Sequence, residues 1–170
     1  MSRKHEGTVT FRPMELVDLT RIEEVENLSF PTPWPRKAFY NELVLNQFAH
    51  YTVVSVDGEI AGYCGFWLIL DEAHITNVAI HPDYRGRGLG KAILLHVMQL
   101  ARELGAASMT LEVRVSNHVA QRLYEHLGFV RSGLRKEYYT DNKEDAFIMW
   151  VTLHEQEEQR TSHIGNRNEL

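Results

Sequence analysis

The chain has 170 residues, 44% of them apolar and 24% charged, enough for one packed domain and against disorder as its main state. Its 18 basic and 23 acidic side chains leave a net charge of −5 with nine histidines neutral, so no cationic excess exists for general binding to nucleic acid. Cys64 is the single cysteine, which excludes an internal disulfide and a CxxC site. No apolar stretch nears the roughly 18 to 20 residues that cross a bilayer, and the polar N-terminus carries no secretory signal; the expectation is a soluble, cytoplasmic protein.

Thr8 to Arg12 alternates as a strand and stops at Pro13. From Met14 onward Leu16, Leu19, Ile22 and Val25 recur every three residues among charged neighbours, which predicts an amphipathic helix. Phe30-Pro-Thr-Pro-Trp-Pro35 cannot be helix interior, because its prolines remove donors and hold the backbone extended. A short helix follows over about Arg36 to Asn46, with Phe39, Leu43 and Leu45 inward. Two β-rich runs, Tyr51 to Val56 and Glu59 to Leu70, flank Asp57-Gly58, a hairpin signal. Gly62 and Gly65 inside the second run predict a bend or a close backbone approach.

A strand over His74 to His81 ends at Pro82, and a glycine-rich turn opens the clearest helix. Leu89, Ile93, Val97, Ala101 and Leu104 form its stripe and Gly105 its stop. Ser108 to Val115 alternates strictly, with Met109, Leu111, Val113 and Val115 on one face and Ser108, Thr110, Glu112 and Arg114 on the other. Asn117 stands as the N-cap of a helix whose inward stripe is Ala120, Leu123, Tyr124 and Leu127. Strands near Phe129 to Tyr139 and Ala146 to Leu153 complete an α/β domain with a mixed, largely antiparallel sheet. Residues 154–170 carry four acidic and two basic side chains without periodicity and read as a flexible tail.

The turn in Val78-Ala-Ile-His-Pro-Asp-Tyr-Arg-Gly-Arg-Gly-Leu-Gly-Lys91 carries the chemistry. Glycines 86, 88 and 90 let the backbone turn sharply and aim successive N–H groups at one spot, and the helix beginning there adds its unpaired donors. With Arg85, Arg87 and Lys91 nearby, the turn suits a pyrophosphate; the alternative is a plain glycine turn with solvated arginines. A Walker loop fails, because Arg85 stands where its first glycine belongs and Ala92 where its hydroxyl belongs. A dinucleotide fingerprint fails at Lys91.

Arg85-x-x-Gly88-x-Gly90 after Asn77-Val-Ala-Ile-His-Pro resembles the acetyl-CoA loop of the GNAT acyltransferases. Leu111-Glu-Val-Arg-Val-Ser-Asn117 and Leu123-Tyr-Glu-His-Leu-Gly-Phe129 are similar to the N-terminal protein acetyltransferases, closest to the RimI type that modifies an alanine-first small-subunit ribosomal protein. The resemblance runs from about Phe11 to Leu153. It implies a single GNAT-like domain over residues 8–153, with about seven strands, about four helices and central strands splayed into a cleft for acetyl-CoA. It also implies that backbone groups of Val78, Ala79 and Ile80 hold the acetyl and pantetheine portion, and that Gly86, Arg87, Gly88, Leu89, Gly90 and Lys91 take the pyrophosphate. Asn117 would contact the pantetheine arm, Glu112 would act as general base and Tyr124 as general acid.

Elementary chemistry agrees with those roles. An α-amine with a pKa of about 7.7 to 8 is largely protonated at neutral pH and must lose a proton to attack a thioester. Alternation puts Glu112 on a polar face, where it is either the base or a solvated strand glutamate. Tyr124 keeps its proton at neutral pH and can protonate a departing thiolate, or can serve only as an aromatic at the core's edge. Cys64, inside an apolar strand, is not expected to be a nucleophile. His74 and His81, seven apart on a strand, should face opposite sides, and no HExxH occurs, so no metal site is expected.

Phe30 and Trp34, with Tyr138 and Tyr139, would form the acceptor pocket, and Asp71 and Glu72 would attract a basic residue behind the acceptor's N-terminus. The chain departs from the bacterial members in having Phe-Pro-Thr-Pro-Trp for Phe-Pro-Trp and Tyr-Tyr-Thr for Tyr-Tyr-Pro, both on the acceptor side. The resulting expectation is acetyl transfer to an N-terminal alanine of a ribosomal protein. The competing readings are another N-terminus, a lysine or a small amine as acceptor, or an acyl-CoA-binding or ribosome-docking module without turnover.

Overall fold

The computed structural model describes residues 7–153, so the tail expected over 154–170 lies outside the described residues. Strands β1 (Val9–Pro13), β2 (Ala49–Val56), β3 (Glu59–Ile69), β4 (Glu72–Ile80), β5 (Ser108–Arg114), β6 (Val130–Arg135) and β7 (Ala146–Thr152) form one sheet in the order β1-β2-β3-β4-β5-β7-β6. Every neighbouring pair is antiparallel except β4 and β5. The helices are α1 (Leu19–Ser29), α2 (Arg36–Val44), α3 (Leu89–Glu103) and α4 (His118–His126), in the order along the chain that the periodicities predict. Helices α3 and α4 cover one face of the sheet, through Ile93, Leu94, Val97, Ala101 and Tyr124 against Met109, Leu111 and Val113. Helices α1 and α2 cover the other, through Leu19, Ile22, Val25 and Phe39 against Tyr51, Val53, Tyr63 and Ala79.

Three local expectations need correction. The helix begins at Leu19, after a 3₁₀ turn over Leu16–Asp18, because the Asp18 carboxylate folds back to accept from the Glu15 N–H at 2.7 Å. Met14 fills the core in place of Leu16, which is 46% exposed. Helix α2 stops at Val44, leaving Leu45 71% exposed instead of inward. Residues after Arg135 leave the sheet, and 136–145 form a loop beside the end of β5.

Two bulges shape the sheet beside its centre. The register steps from Val54–Gly62 to Ser55–Ile60, which makes Ala61 the extra residue, and from Gly65–Asn77 to Phe66–Ile75, which makes Thr76 the extra one. Gly62 is the close approach its sequence position suggests: a Cβ there would lie 2.4 Å from the Ala79 carbonyl oxygen, so only glycine lets β3 come so near β4. The second bulge reverses the alternation of β4. His74, Asn77 and His81 therefore all turn toward α1 and α2, contrary to the expectation that His74 and His81 oppose one another.

The entry to α1 is held by a buried charge. Asp18 accepts from Arg12 Nη1 and Nη2, each at 2.8 Å, and the guanidinium's hydrogen bonds hold its carboxyl below the usual range. Asp18→Ala is expected to cost about 2 kcal/mol at pH 7 in denaturant unfolding. Because the folded-state pKa is the depressed one, the difference from the unsubstituted protein should vanish as pH falls below about 4, through the folded value.

Candidate active site

The parallel pair β4–β5 is joined only at Glu72–Ser108, Ala73–Met109 and His74–Thr110. Beyond those residues each strand stays paired on its outer side, β4 with β3 and β5 with β7, so the two part without unravelling. The gap is a cleft of about 830 Å³, and the main-chain edge of β4 that runs through Val78 faces it without a strand partner. An unpaired edge in a cleft suits a ligand that hydrogen-bonds like a strand. Of the residues singled out from sequence, Phe30, Trp34, Val78, Glu112, Asn117, Tyr124, Tyr138 and Tyr139 line this cleft together.

Glu112 sits near the fork, its side chain 8% exposed. Oε2 lies 2.6 Å from His74 Nε2, and Oε1 lies 3.3 Å from Arg135 Nε. Neither partner was marked by sequence reasoning. His74 pairs with Thr110, and Glu112 is two residues on along the same face of β5, so the contact follows from the β4–β5 register. Alternation within each strand was the only signal, and the register itself is not written in either strand.

Tyr124 reaches the cleft from α4 with its ring in the core against Phe129. Burial pushes its phenol well above the ordinary value, so it stays protonated. Asn117 caps α4 as expected, its Oδ1 accepting from the Ala120 N–H at 3.2 Å, which leaves the Nδ2 donors for the cleft.

The glycine turn joins the end of β4 to α3, beyond the residues that line the cleft. Gly86 and Gly88 have φ of 77° and 78°, a region side chains disfavour, and Gly88 is the N-cap of α3 with no side chain to satisfy the helix's first amides. The first helical bond runs from Ala92 N–H to Gly88, so the amides of Leu89, Gly90 and Lys91 remain available to an anion. The Leu89 side chain is buried, so it can contribute only its backbone. Arg87 lies over the Tyr84 ring, Lys91 Nζ is 3.2 Å from His126 Nε2, and Arg85 ties the turn to the cleft by donating to Ile80 O and Ser29 Oγ.

Where the sequence places the acceptor pocket, Phe30 and Trp34 are both wall and core, packed against Phe39 and its neighbours while facing the cleft. Glu26 pins that wall. It accepts from the Trp34 N–H at 3.0 Å and from the Tyr63 hydroxyl, which in turn accepts from Asn77 Nδ2 at 3.0 Å; burial raises its pKa. The opposite wall, the loop carrying Tyr138 and Tyr139, is fastened by Arg114. Its guanidinium lies 3.9 Å from the Tyr139 ring centroid and 2.8 Å from Asp141 Oδ2, and also contacts Glu144, whose pKa is lowered to about 2 by hydrogen bonds from Ser116.

Asp71 and Glu72 do not belong to this pocket. They stand at the paired end of β4, about 20 Å along the strand from Val78, because the strands part only after His74. Cys64 is buried with its thiol pushed up to about 12 by desolvation, which excludes it as a nucleophile. Among the described residues no group of three His, Cys, Asp or Glu is arranged to hold a metal ion, and no helix is long and apolar enough to cross a membrane.

A forked parallel pair with a carboxylate in the fork and bare amides at one end suits group transfer from a long, phosphate-bearing donor. The comparisons say which kind: residues 19–129 match the Acetyltransferase (GNAT) family, and the chain belongs to it. A Bacillus subtilis (strain 168) protein, assigned provisionally as a ribosomal protein bS18-alanine N-acetyltransferase, is 51% identical over 144 residues, 85% of this chain and 95% of that one. The ribosomal protein bS18-alanine N-acetyltransferase of Escherichia coli (strain K12) is 38% identical over 148 residues, covering 85% and 97%. A crystal structure of the ribosomal-protein-S18-alanine N-acetyltransferase from Escherichia coli superposes with a TM-score of 0.80 at 34% identity, covering 86% of this chain and 94% of that one.

Gly88→Ala would strain a left-handed residue at the mouth of the amide cradle, and acetyl-CoA affinity measured by calorimetry should fall at least tenfold. Arg114→Ala frees the loop that carries Tyr138 and Tyr139. It should raise KM for a peptide acceptor several-fold while leaving KM for acetyl-CoA within twofold.

Proposed function

We propose that the protein transfers acetyl from acetyl-CoA to the α-amino group of the N-terminal alanine of ribosomal protein bS18, with residues 8–153 as the catalytic unit. The observation that carries this reading is the meeting of Glu112 and Tyr124 in one cleft beside the unpaired edge of β4. The names of the relatives that cover nearly the whole domain support the choice of acceptor. Such an acceptor implies a cytoplasmic site of action.

Acetyl-CoA supplies an activated thioester, and the chain's residues do the rest. The amides of Gly86 to Lys91 hold the pyrophosphate, the edge of β4 over Val78 to Ile80 aligns the pantetheine arm, and Asn117 donates to it from the other side. Glu112 removes the proton from the acceptor's ammonium, directly or through a water, so that the amine attacks the thioester carbon. Tyr124, kept neutral by burial, gives its proton to the sulfur as the C–S bond breaks. Backbone N–H groups of the Val78 to Ile80 segment face the developing oxyanion. Phe30, Trp34, Tyr138 and Tyr139 enclose the acceptor's first residues.

The test is a panel of peptides with varied first residues, scored by mass spectrometry. Ala-first peptides should gain acetyl at the α-amine; modification confined to lysine side chains would refute the assignment. Glu112→Gln should lower kcat by about 10² to 10⁴ with acetyl-CoA affinity unchanged.

A further inference from the structure

We propose that His74 is a positioning residue for the base, holding the Glu112 carboxylate at the fork and carrying its proton out to solvent; this rests on the reading of Glu112 given above. Glu112 is nearly enclosed and both its oxygens are engaged, Oε2 by His74 at 2.6 Å and Oε1 by Arg135 at 3.3 Å. A base so placed can take a proton from an amine in the cleft but must pass it on before the next turnover. His74 is 34% exposed and bridges the carboxylate and bulk water.

The histidine is itself held. It is the last residue of β4 paired to β5, and the bulge at Thr76 begins two residues later. Its ring meets the Trp67 ring edge-on, with centroids 6.5 Å apart. Trp67 in turn donates from Nε1 to Glu42 Oε2 of α2 at 2.7 Å. The imidazole is thus fixed from β3 and α2 before it touches the base, the arrangement a rigid proton path needs.

The step balances in protons alone. At rest the imidazole donates from Nε2 to the carboxylate. The ammonium N–H breaks as an O–H forms on Glu112; exchange with solvent moves the imidazole proton to Nδ1 and frees the Nε2 lone pair, which takes the proton from Oε2, and the Nδ1 proton passes to water, restoring the Nε2–H donor. The charged and titratable groups that face Glu112 are His74 from β4, Arg135 from β6, and Tyr138 and Tyr139 from the following loop. Arg135 cannot release a proton, and both tyrosines hold theirs more tightly than usual because of burial. Imidazole is the one group of the four that can take a proton at one nitrogen and release one from the other.

The experiment compares His74→Gln, whose amide can still donate to Glu112 but cannot relay, with His74→Ala. Steady-state kcat is measured at saturating acetyl-CoA and Ala-first peptide, and acetyl-CoA affinity within twofold of the unsubstituted protein certifies the fold. Both variants should be at least tenfold slower, added imidazole should restore the alanine variant several-fold, and the pH–rate profile of the glutamine variant should lose one ionisation. A glutamine variant as fast as the unsubstituted protein, or an alanine variant that imidazole leaves slow, overturns the proposal. Failure of the underlying base reading would look different: Glu112→Gln would then turn over normally.

Discussion

The parting of β4 from β5 after three paired residues is the constraint on which the rest depends. A parallel pair inside a sheet normally keeps its ladder, and each forgone main-chain hydrogen bond costs of the order of 1 kcal/mol when its groups stay unsatisfied. Here both strands stay paired on their outer sides, β4 with β3 apart from the bulge and β5 with β7, so the cost falls on a few groups that face an open cleft. The bulge at Thr76 twists β4 away just where the ladder ends, and Gly62 lets β3 follow it closely. The fork is therefore a local defect supported by a regular sheet on either side.

That geometry divides the labour of recognition by chemistry. In the proposed function the donor would meet mostly backbone: the open edge of β4, the amides at the start of α3 and the positive-φ glycines that expose them. Backbone contacts depend little on side-chain identity except where glycine is required. The acceptor would meet side chains from α1, the segment after it, and the loop before β7, all of which line the cleft. Glu112 stands between the two, on the polar face of a strand whose other face, Met109, Leu111 and Val113, is locked into the core beneath α3. Glu112 owes its position to that apolar face as much as to its own partners.

The amphipathic patterns that settled the elements were strong because burial enforces them. The period of α3 and the strict alternation of β5 both answer to one core, and the Asn117 cap answers to the first turn of α4. What sequence left unread has a common cause, the relation between strands. His74 and Arg135 touch Glu112 through registers that no single strand specifies, and one bulged residue turned His81 to the side where His74 points. Asp71 and Glu72 were drawn toward the acceptor by charge alone, whereas the point at which β4 and β5 part puts them at the closed end. Leu45 illustrates the weaker failure of periodicity at a helix end, where one residue past the last turn faces water.

The two acceptor walls are fixed by different means, and the difference bears on specificity. The Phe30 to Trp34 wall hangs on a buried carboxylate, Glu26, whose partners Tyr63 and Asn77 belong to β3 and β4, so a shift there is felt along the donor strand. The wall with Tyr138 and Tyr139 is tied by Arg114, Asp141 and Glu144 around the end of β5, without any hydrogen bond to β4 among the described residues. In the proposed function, changes in the first wall would therefore reach both the β4 side and the acceptor side, while changes in the second would act on the acceptor and on the surroundings of Glu112. The chain's Tyr-Tyr-Thr sequence lies in that second, separable wall. The Phe-Pro-Thr-Pro-Trp segment, two residues longer than Phe-Pro-Trp, lies in the first, where the bond from the Trp34 N–H to Glu26 ties it to α1 and, through Tyr63, to the sheet.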